Sequence, residues 1–401
     1  MGERTVPLFD VRLADDEVEA VAAVLRSGWL TMGPRTERFE TAFAAHLGVR
    51  HAVAVSSGTA ALHLAYLAAG VGPGDEVIVP DITFVATANA VRYCGARPAF
   101  ADVLGAHDLG IDPAHVEALI TSRTKAVAVV HYGGYAADVA TVAALCRRHG
   151  LALIEDAAHS PSATLTRGGR KLGAWGLAGA FSFFSNKVLG CGEGGLVATD
   201  DDDVAAFVRR YRSHAMTSGT WDRHRGHATA YDVVGLGFNY RLDELRAALL
   251  EARLPGLHGD VERRRAIVRR YRAMLADVPG LTLPYRDEDV EHSSCYVMPT
   301  IVEPPELRDP LRERLRERGV QTSVLYPAVH EFSAYRDTPH APLARSARVA
   351  QTQLTLPLYP HLAPADQDYV VAAVREALAA LQREAASPLG GRGDSLVAGP
   401  A

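Results

Sequence analysis

No apolar run in this chain approaches the roughly 20 residues that span a bilayer, so no transmembrane helix is expected. The opening MGERTVPLFD lacks the apolar core of a signal peptide. Cysteine is scarce. Cys94, Cys146, Cys191 and Cys295 are spread along 401 residues without a CxxC pair, so buried free thiols are expected rather than disulfides or a metal site. Excess basic charge is also missing: a net charge of -5 offers no field for nucleic acid or an anionic membrane. With 48% hydrophobic and 22% charged residues, the composition is that of a globular, cytoplasmic protein. The length exceeds what one core usually organises, which predicts a large domain plus a smaller one. No internal repeat is present.

Helical spacing covers VRLADDEVEAVAAVLR (11–26) and Glu37 to Leu47, with the loop SGWLTMGP (27–34) between them. Further on, short apolar runs alternate with helical patterns. VAV (53–55), EVIVP (76–80), AVAVV (126–130), LALIED (151–156), FSFFS (181–185) and GLVATD (195–200) read as strands, and Thr59 to Ala69 as a helix. Val/Ile/Leu/Ala strands separated by helices predict α/β architecture, with a mostly parallel sheet covered on both faces. The pattern breaks at LPGLHGD (254–260), so 1–254 are expected to form an N-terminal segment and large domain. Residues 255–385 are expected to form a smaller α+β domain. It would hold the helix VERRRAIVRRYRAML, strand-like CYVMPTIV, the helix LRDPLRERLRERG and a last helix over 364–384. The arginines of the first of these helices read as a solvated face. The Gly/Pro/Ala-rich tail 386–401 is expected to be disordered, and its RGD triplet carries no meaning in a cytoplasmic protein.

Ligands of open α/β sheets bind at the carboxyl ends of the strands. SSGTAAL (56–62) follows one strand and opens a helix; the Ser57 and Thr59 hydroxyls and free N–H groups suit a phosphate, although an ordinary N-cap looks the same. Asp156 ends an apolar strand, where a carboxylate needs a cationic partner: a pyridinium nitrogen or a structural ion pair. His159, three residues on, could touch such a ring or its phenolic oxygen. Lys187, in FSFFSNKVLGCGEGG (181–195), follows an apolar run and precedes glycines. Desolvation there lowers an amine pKa and opens Schiff-base chemistry. Ser182 could serve the phosphate, and Cys191, without a paired base, reads as packing. Phosphate loop, strand-end Asp and strand-following Lys, in that order, follow the logic of a fold-type-I pyridoxal-phosphate (PLP) enzyme.

Over residues 7–380 the sequence resembles the DegT/StrS-type (DegT/DnrJ/EryC/StrS) family of PLP-dependent sugar aminotransferases. The resemblance rests on GWLTMGP, SSGTAAL, DITFVATANAV, GARPAFADV, EDAAHS, FSFFSNKVLGCGEGG and GFNYRLDELRAAL. It implies a homodimer with shared active sites and L-glutamate, or glutamine, as amino donor. Lys187 matches the Schiff-base lysine and general acid/base, Asp156 the partner of the pyridine nitrogen, and Phe84 the aromatic stacked on the ring. Gly58, Thr59 and Ser182 match phosphate contacts, and Asn239 a residue that reaches the neighbouring subunit's phosphate.

His159 stands where many members carry Gln, and Leu325 where many carry His, while His330 matches a histidine bordering the acceptor. The polar stretch 213–232 could close over an anionic acceptor through Arg223, Arg225 or His227, or form a dimer contact. The leading expectation is amination of a nucleotide-linked keto-deoxysugar, for a secondary metabolite or a glycan. The alternatives are a keto-cyclitol acceptor, a PLP-dependent sugar dehydratase, which the presence of Lys187 argues against, and a non-catalytic regulator, which would not need the intact constellation.

Overall fold

The structure is a computed structural model describing residues 4–166, 168–218, 226 and 230–386. Twelve strands are numbered along the described chain: β1 His51–Val55, β2 Glu76–Pro80, β3 Arg97–Ala101, β4 Val103–Gly105, β5 Asp108–Ile111, β6 Thr124–Val130, β7 Ala152–Asp156, β8 Ala178–Ser182, β9 Gly195–Thr199, β10 Leu281–Thr282, β11 Met298–Val302 and β12 Gln353–Leu356. Seven form the central sheet in the order β1-β9-β8-β7-β6-β2-β3. Its pairs are parallel except those of β9, which runs against both β1 and β8. The α/β, mostly parallel expectation therefore holds, and β9 has a physical cause. A parallel return needs a crossover of a dozen or more residues, usually a helix, whereas the segment joining β8 to β9 is a turn without one.

Both faces of the sheet are covered, so its strands are buried apolar runs instead of alternating ones. Val53, Ile78, Val127 and Ile154 have no exposed surface. Helix Gly58–Ala68 lies across β8 and β9. Helix Pro34–Leu47 is capped from a distance: the buried Glu244 carboxylate accepts from the backbone N–H groups of Gly33 (2.9 Å), Arg35 (2.7 Å) and Thr36 (2.9 Å). Those are the donors a helix start leaves unpaired.

The turn Leu254–Gly256 leads into helix Leu257–Leu275, and a three-stranded sheet, β10-β11-β12, follows. The arginines of this helix are not all solvated. Arg264 is buried, its guanidinium directed at the carbonyls of Tyr296 and Leu358, and burial brings its pKa down to about 10. The N-terminal segment docks onto this half of the molecule: Val6 bridges Val320, and the N–H of Leu358 donates to the carbonyl of Leu8 (3.1 Å). Helix Pro364–Ala386 ends the described chain, and the rest of the tail lies outside it. All four cysteines are buried and free. Among the described residues no helix is long and apolar enough to cross a membrane.

Candidate active site

Strand register assembles the site. Val55 of β1 and Ser182 of β8 both lie opposite Gly195 of β9, while Asp156 of β7 is opposite Ala180 of β8. Three carboxyl-terminal strand ends thus meet at one edge of the sheet, around a cavity of about 470 Å³. Its lining includes Ser57, Gly58, Thr59, Phe84, Asp156, His159, Ser182 and Lys187. Of the residues singled out by sequence, these eight and Leu325 are brought together.

At one end, Ser57 caps helix Gly58–Ala68, its Oγ accepting from the Ala60 N–H at 3.1 Å. Gly58 is required by crowding. A Cβ there would stand 2.8 Å from the Cβ of Ser182, closer than side chains tolerate. The helix start, with its free donors and positive dipole end, is therefore pressed against β8 and faces the cavity beside the Ser182 and Thr59 hydroxyls.

Lys187 lies in the β8–β9 turn. Its Nζ stands 4.4 Å from the centre of the Tyr296 ring, and burial lowers its pKa to about 8 against a smaller opposing pull from Asp156. Asp156 is 6% exposed. Burial raises its carboxyl pKa, while donors to both oxygens oppose the rise: Thr87 Oγ1 to Oδ2 at 2.7 Å and Ala158 N–H to Oδ1 at 3.2 Å. His159 is held neutral, its pKa pushed well below the usual value by burial and then by Lys187. Its Nδ1 accepts the Gly133 N–H at 3.1 Å, so the ring proton sits on Nε2 and points to the Tyr326 hydroxyl at 3.2 Å. The imidazole also stacks on Tyr296 at 4.4 Å. Phe84 is half exposed at the mouth, 5.6 Å from the Tyr326 ring.

Other expected residues fall elsewhere. Asn239 is exposed and does not line the cavity; its backbone bridges Ser213. His330 does not line it either: its Nδ1 bonds the buried Asp81 carboxylate at 2.7 Å. Arg223, Arg225 and His227 lie outside the described residues. Cys191 is buried, its thiol pKa raised by burial to about 12, as packing requires. The sequence reading missed Phe9, Tyr296 and Tyr326, three aromatics of the lining, and Thr87 behind Asp156. Tyr296 lies in the strand-like CYVMPTIV and Thr87 in DITFVATANAV, but neither segment marks these residues as site candidates.

The model of the DegT/DnrJ/EryC1/StrS aminotransferase family matches residues 11–375. The chain belongs to that family. It is 38% identical over 374 residues to the spore coat polysaccharide biosynthesis protein SpsC of Bacillus subtilis (strain 168), covering 91% of this chain and 95% of that protein. The solved structure of DesV from S. venezuelae superposes with a TM-score of 0.85 at 38% identity, covering 93% and 98% of the two chains. That of DesI, determined in the presence of its TDP-sugar product, gives 0.85 at 31% identity over 96% of each. This family member is accordingly a PLP-dependent aminotransferase with the fold of those enzymes.

Proposed function

We propose that the enzyme moves an amino group from L-glutamate, or glutamine, to a nucleotide-linked keto-deoxysugar, with Lys187 as the residue that carries the cofactor. One observation carries the assignment of residues: a lysine amine depressed to about 8 and a buried carboxylate share one cavity with a helix start. This donor set fits PLP. Ser57, Gly58, Thr59 and Ser182 supply hydroxyls and N–H groups for a phosphate, Asp156 an anion for a ring nitrogen, and Phe84 a face for the ring. Bound there, PLP would supply the electron sink that lets an amino group pass between carbon skeletons.

The chain's own groups do the rest. Lys187, with a pKa near neutrality, takes a proton from one carbon and returns it to another as general base and acid. His159, neutral and fixed by Gly133, presents its Nε2 proton without adding charge beside Lys187. Asn239, exposed and outside the lining of this chain's cavity, would serve a second copy, so the active form in this reading is a homodimer. Four buried thiols fit the reducing cytoplasm. The TDP-sugar product of DesI supports the acceptor class, and SpsC supports a glycan as its destination. In this reading residues 1–254 carry the cofactor and 255–385 form the smaller domain.

A keto-cyclitol acceptor is the second reading. It is favoured by one fact: Lys187 is the only cationic side chain among the described lining residues, so a pyrophosphate would depend on residues such as Arg223, Arg225 and His227. A half-reaction assay separates the two. Glutamate should discharge the visible absorbance of the PLP-loaded enzyme with release of 2-oxoglutarate, and a TDP-linked keto-sugar should restore it. Restoration by a keto-inositol alone selects the second reading. Borohydride should fix the cofactor to a peptide containing Lys187; attachment elsewhere rejects the assignment.

A further inference from the structure

Beside Asp156, two hydroxyls stand in series. Thr83 Oγ1 is 2.8 Å from Thr87 Oγ1, and Thr87 Oγ1 is 2.7 Å from Asp156 Oδ2. Neither threonine is accessible to water: Thr83 is 1% exposed and Thr87 0%. Thr87 lies in the first turn of helix Ala86–Tyr93, so its place against β7 is set by the backbone. We propose that Thr87, oriented by Thr83, is a positioning residue that keeps Asp156 ionised and turns its remaining lone pairs toward the cavity.

A hydroxyl has one proton to give and two lone pairs. Thr87 has three oxygens within reach: Asp156 Oδ2, Thr83 Oγ1 and, at 3.2 Å, the Phe84 carbonyl. With Asp156 ionised, each proton has one destination. Thr83 donates to Thr87 and Thr87 donates to the carboxylate, the shortest of the three contacts. Serial donation polarises each bond and strengthens the last. The Ala158 N–H holds the other oxygen. With one hydrogen bond accepted on each oxygen, the carboxylate keeps lone pairs for a ring nitrogen. Burial works against this arrangement, because a carboxyl shut away from water prefers to be neutral. A neutral acid could not hold a proton on that nitrogen.

The other groups near Asp156 do not replace Thr87. Lys187 and His131 favour the anion through space, and the Tyr66 and Tyr326 phenols face it as neutral groups. Neither Lys187 nor His131 donates a hydrogen bond to the carboxylate. His131 directs its Nε2 to Glu155 at 3.0 Å.

The proposal rests on the reading of Asp156 as cofactor partner, and its first test needs no cofactor. In the cofactor-free protein, Asp156 is followed by carbon-13 NMR of labelled aspartates, with Asp156→Asn to identify its signal. Thr87→Val should raise its titration midpoint by about one pH unit, because a hydrogen bond to a charged group is worth about that much. Thr87→Ser, which keeps the hydroxyl, should stay near wild type, and Thr83→Val should fall between. In the second test, Thr87→Val should bind PLP about tenfold more weakly and Thr87→Ser within about threefold of wild type. An unchanged midpoint in folded Thr87→Val, or a Thr87→Ser protein that behaves like Thr87→Val, overturns the proposal. A shifted midpoint in a protein whose wild type binds no PLP upholds the Thr87–Asp156 relationship and rejects Asp156 as cofactor partner.

Discussion

The Lys187 amine lies over the Tyr296 ring, with 4.4 Å between Nζ and the ring centre. An ammonium in that place is attracted by the ring face, by roughly 1 kcal/mol. Tyr296→Leu keeps the surroundings dry and removes the attraction. The midpoint of Lys187 ionisation should then fall below its value of about 8, by roughly 0.7 of a pH unit. The pH dependence of modification of the cofactor-free protein by a carbonyl reagent measures this. A midpoint that stays or rises shows the ring to be packing alone.

Lys187 should also cost the cofactor-free protein stability. Its folded pKa of about 8 lies below the ordinary 10.5. Folding therefore disfavours the proton: below about pH 8 the whole cost is present, and it fades as pH climbs toward 10.5. Lys187→Met should stabilise the cofactor-free protein at pH 7 by about 2 kcal/mol, discounted for contact with water in the cavity. The gain should shrink by pH 10. Urea unfolding at both pH values tests it, and a gain that ignores pH would point to packing.

His159 should contribute no ionisation to the working pH range. Its pKa is driven well below the usual histidine value, so its charge stays constant between pH 6 and pH 8. Nitrogen-15 spectra of labelled histidine should show its ring neutral, with the proton on Nε2, at both ends. The pH–rate profile of His159→Gln should keep the wild-type shape. A limb near pH 6.5 that this substitution removes would contradict the buried, neutral ring.

Glu244 should matter for folding alone. Its carboxylate accepts three backbone N–H groups and the Thr36 hydroxyl. Glu244→Ala leaves those buried donors unpaired and should cost about 3 kcal/mol; Glu244→Gln should cost less. Thermal or urea denaturation reads the difference, and the folded fraction should keep the wild-type cofactor absorbance.

Gly58→Ala should disturb the site without touching its chemistry. The new methyl meets Ser182 Cβ at 2.8 Å, so helix and strand must part. Affinity for PLP in Gly58→Ala should drop about tenfold or more below the wild-type protein. Isothermal titration of the two proteins makes the comparison; full affinity in Gly58→Ala would show that the contact yields freely.

What could be read from the sequence was chemistry held in a few neighbouring residues. Lys187 amid apolar residues and glycines, Asp156 at the end of an apolar strand and the 57–59 turn each have local signatures. Tyr296 and Tyr326 have none, because an aromatic in an apolar stretch looks like core until the fold shows it bordering a cavity. Thr87 is a short polar residue inside a helix, and its partner is 69 positions away. Arg264 shows the reverse error: a charged neighbourhood suggested solvent, while helical rotation carried one guanidinium of the run inward. The parallel sheet followed from runs of branched residues, but the reversed β9 depended on a connection whose lack of a helix had to be recognised.

Phe9 lies far from Tyr296 along the chain, yet its ring stacks on Tyr296 at 5.6 Å and lines the cavity. Its neighbours Val6 and Leu8 are tied to Val320 and Leu358. During synthesis this segment must therefore wait, without its partners, until residues 320 and 358 have left the ribosome. A nascent chain stalled before residue 320 could complete the central sheet but would have no wall on this side of its cavity. This side of the pocket thus closes only after residues 320 and 358 have been made.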